Sequence, residues 1–280
     1  MKKNVITEKM VFRYLEHLAR EEKSTATRQQ YQREILRFLK EIGEATLTKE
    51  LVLDYKEKLK NEYQPSSVNV KLAALNSFFG FIGRNDLRLK QLRIQKKAYC
   101  PTEKELTKAE YLRLVNIAKQ KGNEKLSVLI QTICSTGIRV SELRYITAEA
   151  VKRGEAVICL KGKTRTILVD GKLRKILRQY MKQENILCGP LFITRSGRSM
   201  DRSNIWKAMK ALCEYAQVNP EKVFPHNLRH LFARCFYQAD KDIAKLADIL
   251  GHSNINTTRI YIISSGREHR RRMDALGLVI

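Results

Sequence analysis

The 280-residue chain carries 54 Lys and Arg against 29 Asp and Glu, a formal charge of +25. No run approaches 18 consecutive apolar residues and no apolar stretch follows the N-terminal lysines, which argues against a transmembrane helix and a secretory signal peptide. The six cysteines (Cys100, Cys134, Cys159, Cys188, Cys213 and Cys235) form no Cys-x-x-Cys pair, which speaks against a zinc ribbon or a disulfide scaffold and fits a reducing cytosol.

Taken in order, residues 7–20 predict a first helix, with Thr7 as N-cap and Met10, Val11, Tyr14, Leu15 and Leu18 at helical spacing. Ser24-Thr25-Ala26-Thr27 opens a second, carrying Tyr31, Ile35, Leu36, Phe38 and Leu39 and stopped by Gly43. Thr48 caps a third, to about Leu59, with Leu51, Leu53 and Tyr55 as its apolar residues. Pro65-Ser66-Ser67 opens a fourth, rich in Val, Leu and Phe through Phe81. Residues 90–104 lose this period and carry Lys90, Arg93, Lys96, Lys97 and Pro101, which predicts a basic linker.

Beyond it, Thr107 caps a helix over 108–121, and the apolar stretch 126–135 predicts a largely buried helix that delivers Thr136-Gly137-Ile138-Arg139 at its end. Ser141-Glu142-Leu143 continues into a short helix. The period then changes to two: residues 156–160 and 166–169 predict a β-hairpin joined by the basic turn Lys161-Gly162-Lys163-Thr164-Arg165. Helices follow over 173–183, 203–216, 228–238 and 243–250, the last closed by Gly251.

The charge is spread over both halves. Residues 1–100 hold 21 basic and 12 acidic residues, and residues 101–280 hold 33 and 17. A basic balance in both parts of a folded-looking chain points to a polyanion, most simply nucleic acid. The last third supplies groups for phosphate chemistry: Pro225-His226-Asn227-Leu228-Arg229-His230, then Leu250-Gly251-His252-Ser253, then Arg259-Ile260-Tyr261-Ile262. Cleaving a phosphodiester requires charge neutralisation at two shared oxygens, an activated nucleophile and a protonated leaving oxygen. Arg139 and Arg229 suit the first task, because a guanidinium is a planar fork that keeps its charge. Tyr261 is the candidate nucleophile, and Lys161 or Lys163 on the hairpin turn the candidate proton donor to the leaving 5′ oxygen. His226 and His230 have the i, i+4 spacing of metal ligands, but the stretch between them lacks the Glu of His-Glu-x-x-His and no third ligand is evident. No metal and no cofactor are expected.

These pieces, in this order, resemble the tyrosine recombinase (phage integrase) family. Thr136 to Leu143 looks like its first-arginine motif, Leu160-Lys161-Gly162-Lys163 its lysine turn, His226 to Arg229 its His-x-x-Arg motif, and Leu250 to Ser253 with Tyr261 its closing motif. Thr27 to Leu39 and Ser66 to Phe79 resemble its core-binding domain. The resemblance implies a mainly α fold: a helical N-terminal core-binding domain over 1–90, a linker over 91–103, and over 104–280 a mixed, mostly helical catalytic domain with a small antiparallel β-sheet. It implies that Tyr261 forms a 3′-phosphotyrosyl link, that Arg139 and Arg229 hold the non-bridging oxygens, and that His226 and His252 support them, His226 also as proton acceptor. Lys161 is the implied proton donor, because the family lysine directly precedes the turn glycine; the shortened turn leaves Lys163 open.

Small departures, Leu231 after His230 and Val169-Asp170 where relatives carry proline, replace no site residue. The layout looks Xer-like or Cre-like, without an arm-binding domain. Expected partners are double-stranded DNA core sites, further copies of the chain in a tetrameric synapse (monomer or dimer when free), and an accessory or partner recombinase. Residues 264–280, with Arg267 and Arg270 to Arg272 before an apolar end, predict a short helix docking on a neighbouring subunit. The expected role is integration, excision or resolution in the cytoplasm, at the nucleoid. Two rivals stand beside it: a relaxing enzyme of type IB topoisomerase kind, and a non-catalytic DNA-binding accessory protein.

Overall fold

The computed structural model describes residues 6–43, 45–94, 105–160, 163–194, 196–262 and 274–277, and at Leu160, Lys163 and Ile262 the backbone alone. The chain divides into two compact units, Met1–Lys96 and Lys97–Ile280. Among the described residues no helix is long and apolar enough to cross a membrane.

Among its described residues the first unit holds four α-helices, α1 (Glu8–Arg20), α2 (Thr25–Ile42), α3 (Lys49–Glu62) and α4 (Pro65–Phe81), and a 3-10 turn at Asn85–Leu87. Each presents one apolar stripe, Val11, Tyr14 and Leu18 on α1 and Val68, Leu72, Leu75, Phe78 and Phe79 on α4, to a common core. The stripe on α3 is Val52, Tyr55 and Leu59, spaced by three and four. Leu53, expected inward, is 43% exposed, because it sits about 100° round the helix from Val52. Two asparagines seven residues apart on α4 then hold the outgoing chain. Asn76 donates to Leu89 O at 2.8 Å and accepts from Leu89 N at 2.8 Å, and Asn69 does the same for Leu92 at 2.9 and 2.7 Å.

The second unit is built round α6 (Glu124–Thr136), which packs against α5 (Lys108–Gln120), α8 (Gly171–Gln183) and α11 (Pro225–Asp240). Apolar residues on all sides of α6 are buried, Leu126, Val128, Leu129, Ile130 and Ile133 among them, as its continuous apolar run predicts. Thr107 caps α5 through a reciprocal capping box with Glu110. The stretch after Arg139 is a 3-10 helix, Val140–Tyr145, followed by α7 (Ala148–Arg153), whose six residues are too few to show a period in the sequence.

The hairpin differs from expectation in its turn. Strands β1 (Glu155–Leu160) and β2 (Lys163–Leu168) pair antiparallel from Glu155↔Leu168 to Leu160↔Lys163. Only Lys161 and Gly162, which lie outside the described residues, stand between them, so Lys163, Thr164 and Arg165 belong to a strand and not to a five-residue turn. The helix expected over 203–216 is two, α9 (Arg202–Lys210) and α10 (Cys213–Ala216). Met209, Leu212, Cys213 and Ala216 keep helical spacing and burial across the break, so the apolar pattern does not register it. Two more α-helices follow among the described residues. Asp242 caps α12 (Ile243–Leu250), accepting from Ala244 N and Lys245 N, Gly251 ends it at φ 64°, and α13 (Ile255–Ile262) packs back on α11 and α12.

Candidate active site

Four segments meet here: the end of α6, the first turns of α11, the end of α12, and α13. Arg229, on the second turn of α11, is 1% exposed. Its Nη1 donates to the carbonyl of Gly137 and its Nη2 to that of Leu250 at 2.8 Å. Both carbonyls lie at helix C-termini, Gly137 as the C-cap of α6 and Leu250 as the last residue of α12. The guanidinium therefore stabilises the negative ends of two helix dipoles at once.

Arg229 Nη2 also lies 2.8 Å from His252 Nε2. A guanidinium only donates, so Nε2 accepts, and the proton of neutral His252 is on Nδ1. Nδ1 accordingly donates to Thr258 Oγ1 at 2.9 Å, and Thr258 is fully buried.

Tyr261, 6% exposed, is enclosed by histidines. Its ring stacks on His252 at 5.5 Å and 12° and meets His230 at 4.3 Å and 54°. Its hydroxyl stands 3.5 Å from His226 Nε2, at the outer limit of a hydrogen bond, and its ring centre is 6.0 Å from Arg229 Cζ.

Arg139 stands two residues beyond the C-cap of α6, at the start of the 3-10 helix. Its side chain is 41% exposed, and Nη1 donates to Glu142 Oε1 at 3.0 Å. Glu142 is 2% exposed; its second oxygen accepts from the Arg139 backbone N at 2.7 Å and from Arg165 Nη2. Arg139 and Arg229 face a cavity of about 540 Å³, together with Arg144, Arg202, Ser199 and His226.

Burial and this concentration of cations keep the histidines neutral. His252 is pushed down to about 4 by burial, then by Arg229, Arg139 and Arg165. His230 reaches about 4 through burial, then His226 and the arginines. His226 is an exposed residue, yet burial of its ring among protein atoms, then the Arg229, Arg202 and Arg139 charges, hold its pKa below the usual imidazole value. Burial and Arg139 bring Arg229 down to about 10, still cationic at neutral pH. The pocket thus offers permanent positive charge beside uncharged imidazoles, which suits an anion near groups that accept a proton.

Of the residues singled out by sequence, Arg139, His226, Arg229, His252 and Tyr261 converge on this region. Lys161 lies outside the described residues, and of Lys163 only the backbone, paired with Leu160, is described. The rings of His226 and His230 meet edge to face at 4.8 Å, and among the described residues no group of three or more His, Cys, Asp or Glu gathers as a metal site. Sequence reasoning missed Glu142, Arg165, Thr258 and the placement of His230 against Tyr261. Arg165 left a signal: it precedes Ile167 by two and shares a strand face with that buried residue.

Comparison with known proteins converges. Residues 104–267 match the model of the phage integrase family, and residues 11–85 that of the phage integrase N-terminal SAM-like domain. The chain is 28% identical over 275 residues to a tyrosine recombinase of Agathobacter rectalis, covering 89% of each. It is 30% identical over 217 residues to tyrosine recombinase XerC of Erythrobacter litoralis, covering 72% of this chain and 69% of that protein. In fold it is similar to a lambda integrase tetramer bound to a Holliday junction, with a TM-score of 0.71 and 16% identity over 92% of this chain and 78% of that one.

Proposed function

This chain belongs to the phage integrase family of tyrosine recombinases, site-specific enzymes that cut and rejoin DNA, and on that premise we propose that Tyr261 is its nucleophile. Tyr261 Oη attacks the scissile phosphorus, a 3′-phosphotyrosyl bond forms, and the bond to the 5′ oxygen breaks. Arg139 and Arg229 take the non-bridging oxygens; in a buried setting the Arg229 charge is weakly screened and acts strongly on the charge that develops there. His226 accepts the phenol proton, a role open to it because its imidazole is neutral at pH 7. Lys161 gives a proton to the departing 5′ oxygen, which leaves as a hydroxyl. The reverse sequence, with a 5′ hydroxyl from another strand, completes exchange. The phosphotyrosine conserves the broken bond, so the cycle draws on neither ATP nor a cofactor.

One observation carries this reading: the Tyr261 hydroxyl stands 3.5 Å from His226 Nε2, in a group of side chains that includes the buried cation Arg229 and the stacked ring of His252. We further propose that the substrate is a pair of inverted core half-sites in duplex DNA and that four copies assemble to exchange strands, a reading supported by the similar fold of a lambda integrase tetramer bound to a Holliday junction. In that assembly residues 264–280, which apart from 274–277 lie outside the described residues, dock on the neighbouring copy. The protein then works in the cytoplasm at the nucleoid, alone or with a partner recombinase.

The test is a nicked DNA carrying core sites, incubated with the protein without metal and run on a denaturing gel. A covalent protein–DNA band is expected, absent with Tyr261→Phe although that variant binds the DNA equally well. Binding without any adduct on recognised sites would instead make the protein an accessory DNA binder. Exchanged products from two sites in one reaction separate recombination from plasmid relaxation.

A further inference from the structure

A strand alternates its faces, and β2 places Thr164, Thr166 and Leu168 outward and Ile167, with Val169 beyond the strand, inward. Arg165 shares the inward face. Its side chain is 15% exposed, and a cation so placed has to find acceptors. It finds them in two other segments of the candidate site. Nη2 donates to Glu142 Oε2, and Nη1 donates to Ile249 O at 3.0 Å. The next carbonyl, that of Leu250, accepts from Arg229. Gly251 makes the approach feasible, since a Cβ there would overlap Arg165 Cδ.

The charge count round Glu142 is the informative part. This nearly buried carboxylate faces two guanidiniums, Arg139 through Oε1 and Arg165 through Oε2. With both present the group carries one net positive charge toward the cavity. Without Arg165, Glu142 and Arg139 would form a neutral pair, and the carboxylate would cancel the attraction that Arg139 exerts on a phosphate.

We infer that Arg165 is a positioning residue: by sharing the charge of Glu142 it leaves Arg139 available to the phosphate, and it fastens the lysine-bearing hairpin to the end of α12 that leads into His252. The inference rests on the proposed function, in which Arg139 holds an oxygen of the scissile phosphate. It assigns Arg165 no contact with DNA.

The test compares the wild type with Arg165→Ala, Arg165→Lys and the double variant Glu142→Gln/Arg165→Ala. Adduct formation is timed at saturating protein on nicked core-site DNA, once with a normal scissile phosphodiester and once with an uncharged methylphosphonate there. On the normal DNA, Arg165→Ala should form adduct about 10- to 100-fold more slowly, by analogy with loss of a partner that orients a directly acting group. Its DNA affinity should stay within about threefold, because the interaction lost matters in the transition state. Arg165→Lys should recover most of the rate, and the double variant should outpace Arg165→Ala, since no carboxylate then opposes Arg139. On the methylphosphonate, where an oxygen charge is missing, the Arg165→Ala penalty should shrink below about threefold.

An equal penalty on both DNAs would overturn the inference. So would a parallel loss of affinity, a double variant slower than the single, or loss of a cooperative melt by both Arg165→Ala and Arg165→Lys, which would make the residue a strut of the fold. If the wild type itself forms no adduct, the proposed function falls first and takes this inference with it.

Discussion

Thr258→Val tests how the His252 ring is held. The substitution keeps the branched shape and removes one oxygen, the acceptor of the His252 Nδ1 proton at 2.9 Å. Thr258 is fully buried, so water cannot readily replace that oxygen. A buried donor left without a partner costs about 1–3 kcal/mol, and the partial exposure of His252 favours about 1–2 kcal/mol here. In a domain of 150–250 residues each kcal/mol moves the melting midpoint by about 2–4 °C, so a fall of about 2–8 °C is expected. Nitrogen NMR on labelled histidine reads the second consequence. In the wild type His252 should carry its proton on Nδ1, because Nε2 faces a donor of Arg229. In the variant that proton loses its acceptor, the Nδ1–H population should fall, and adduct formation should slow by about tenfold, within the range seen for loss of a hydrogen-bonded orienting group. A proton found on Nε2 in the wild type would refute the tautomer assignment. A midpoint within about 1 °C of wild type would refute the energetic argument.

Arg229→Lys should fail on two counts, since one ammonium cannot serve Gly137 O, Leu250 O and His252 in the fork geometry of a guanidinium. Urea unfolding should show a loss of about 2–4 kcal/mol and the adduct assay a loss of about 100-fold or more; a stable, active variant would contradict the double helix-end role. Acid should destabilise the second unit through its histidines. His230 and His252 titrate at about 4 when folded, below the usual 6.5, so the unfolded chain takes up protons first. Stability present above pH 6.5 is therefore lost as pH falls toward 4, on the order of 3 kcal/mol for His230 alone. Urea midpoints unchanged between pH 7.5 and 4.5 would show that these rings are not held neutral by the fold.

The helices were legible where a cap and a stripe coincide. Ser24, Thr48 and Thr107 each stand at a helix start with the side chain accepting a backbone N–H, as their place before an apolar run predicts. The hairpin was legible as a hairpin, but its second strand opens with Lys163, Thr164 and Arg165, and three polar residues read as a turn. The α9–α10 break was hidden because burial continues across it. In the candidate site, residues far apart in the chain were grouped by motif order, and the structure places five of them near one another. Their partners were not legible in the same way. Thr258 is one of two successive threonines with no pattern to distinguish it, and Glu142 reads as a helix residue until its neighbours in space are known. The candidate site residues were visible through their chemistry, whereas the residues that hold them depend on contacts between distant segments.

The setting of Arg229 makes the stability of this protein a property of its buffer. A full positive charge sits almost out of reach of solvent, and among the described residues no carboxylate pairs with it; carbonyl dipoles and a neutral imidazole surround it. Folding therefore works against an uncompensated charge, and any anion that fits the cavity and prefers the native chain shifts the equilibrium by mass action. Sulfate, phosphate and DNA should each raise the melting midpoint with the logarithm of their concentration once it exceeds their Kd, and chloride should do so least. Two laboratories comparing this chain in different salts would measure two stabilities, and the difference would report the affinity of the pocket for anions.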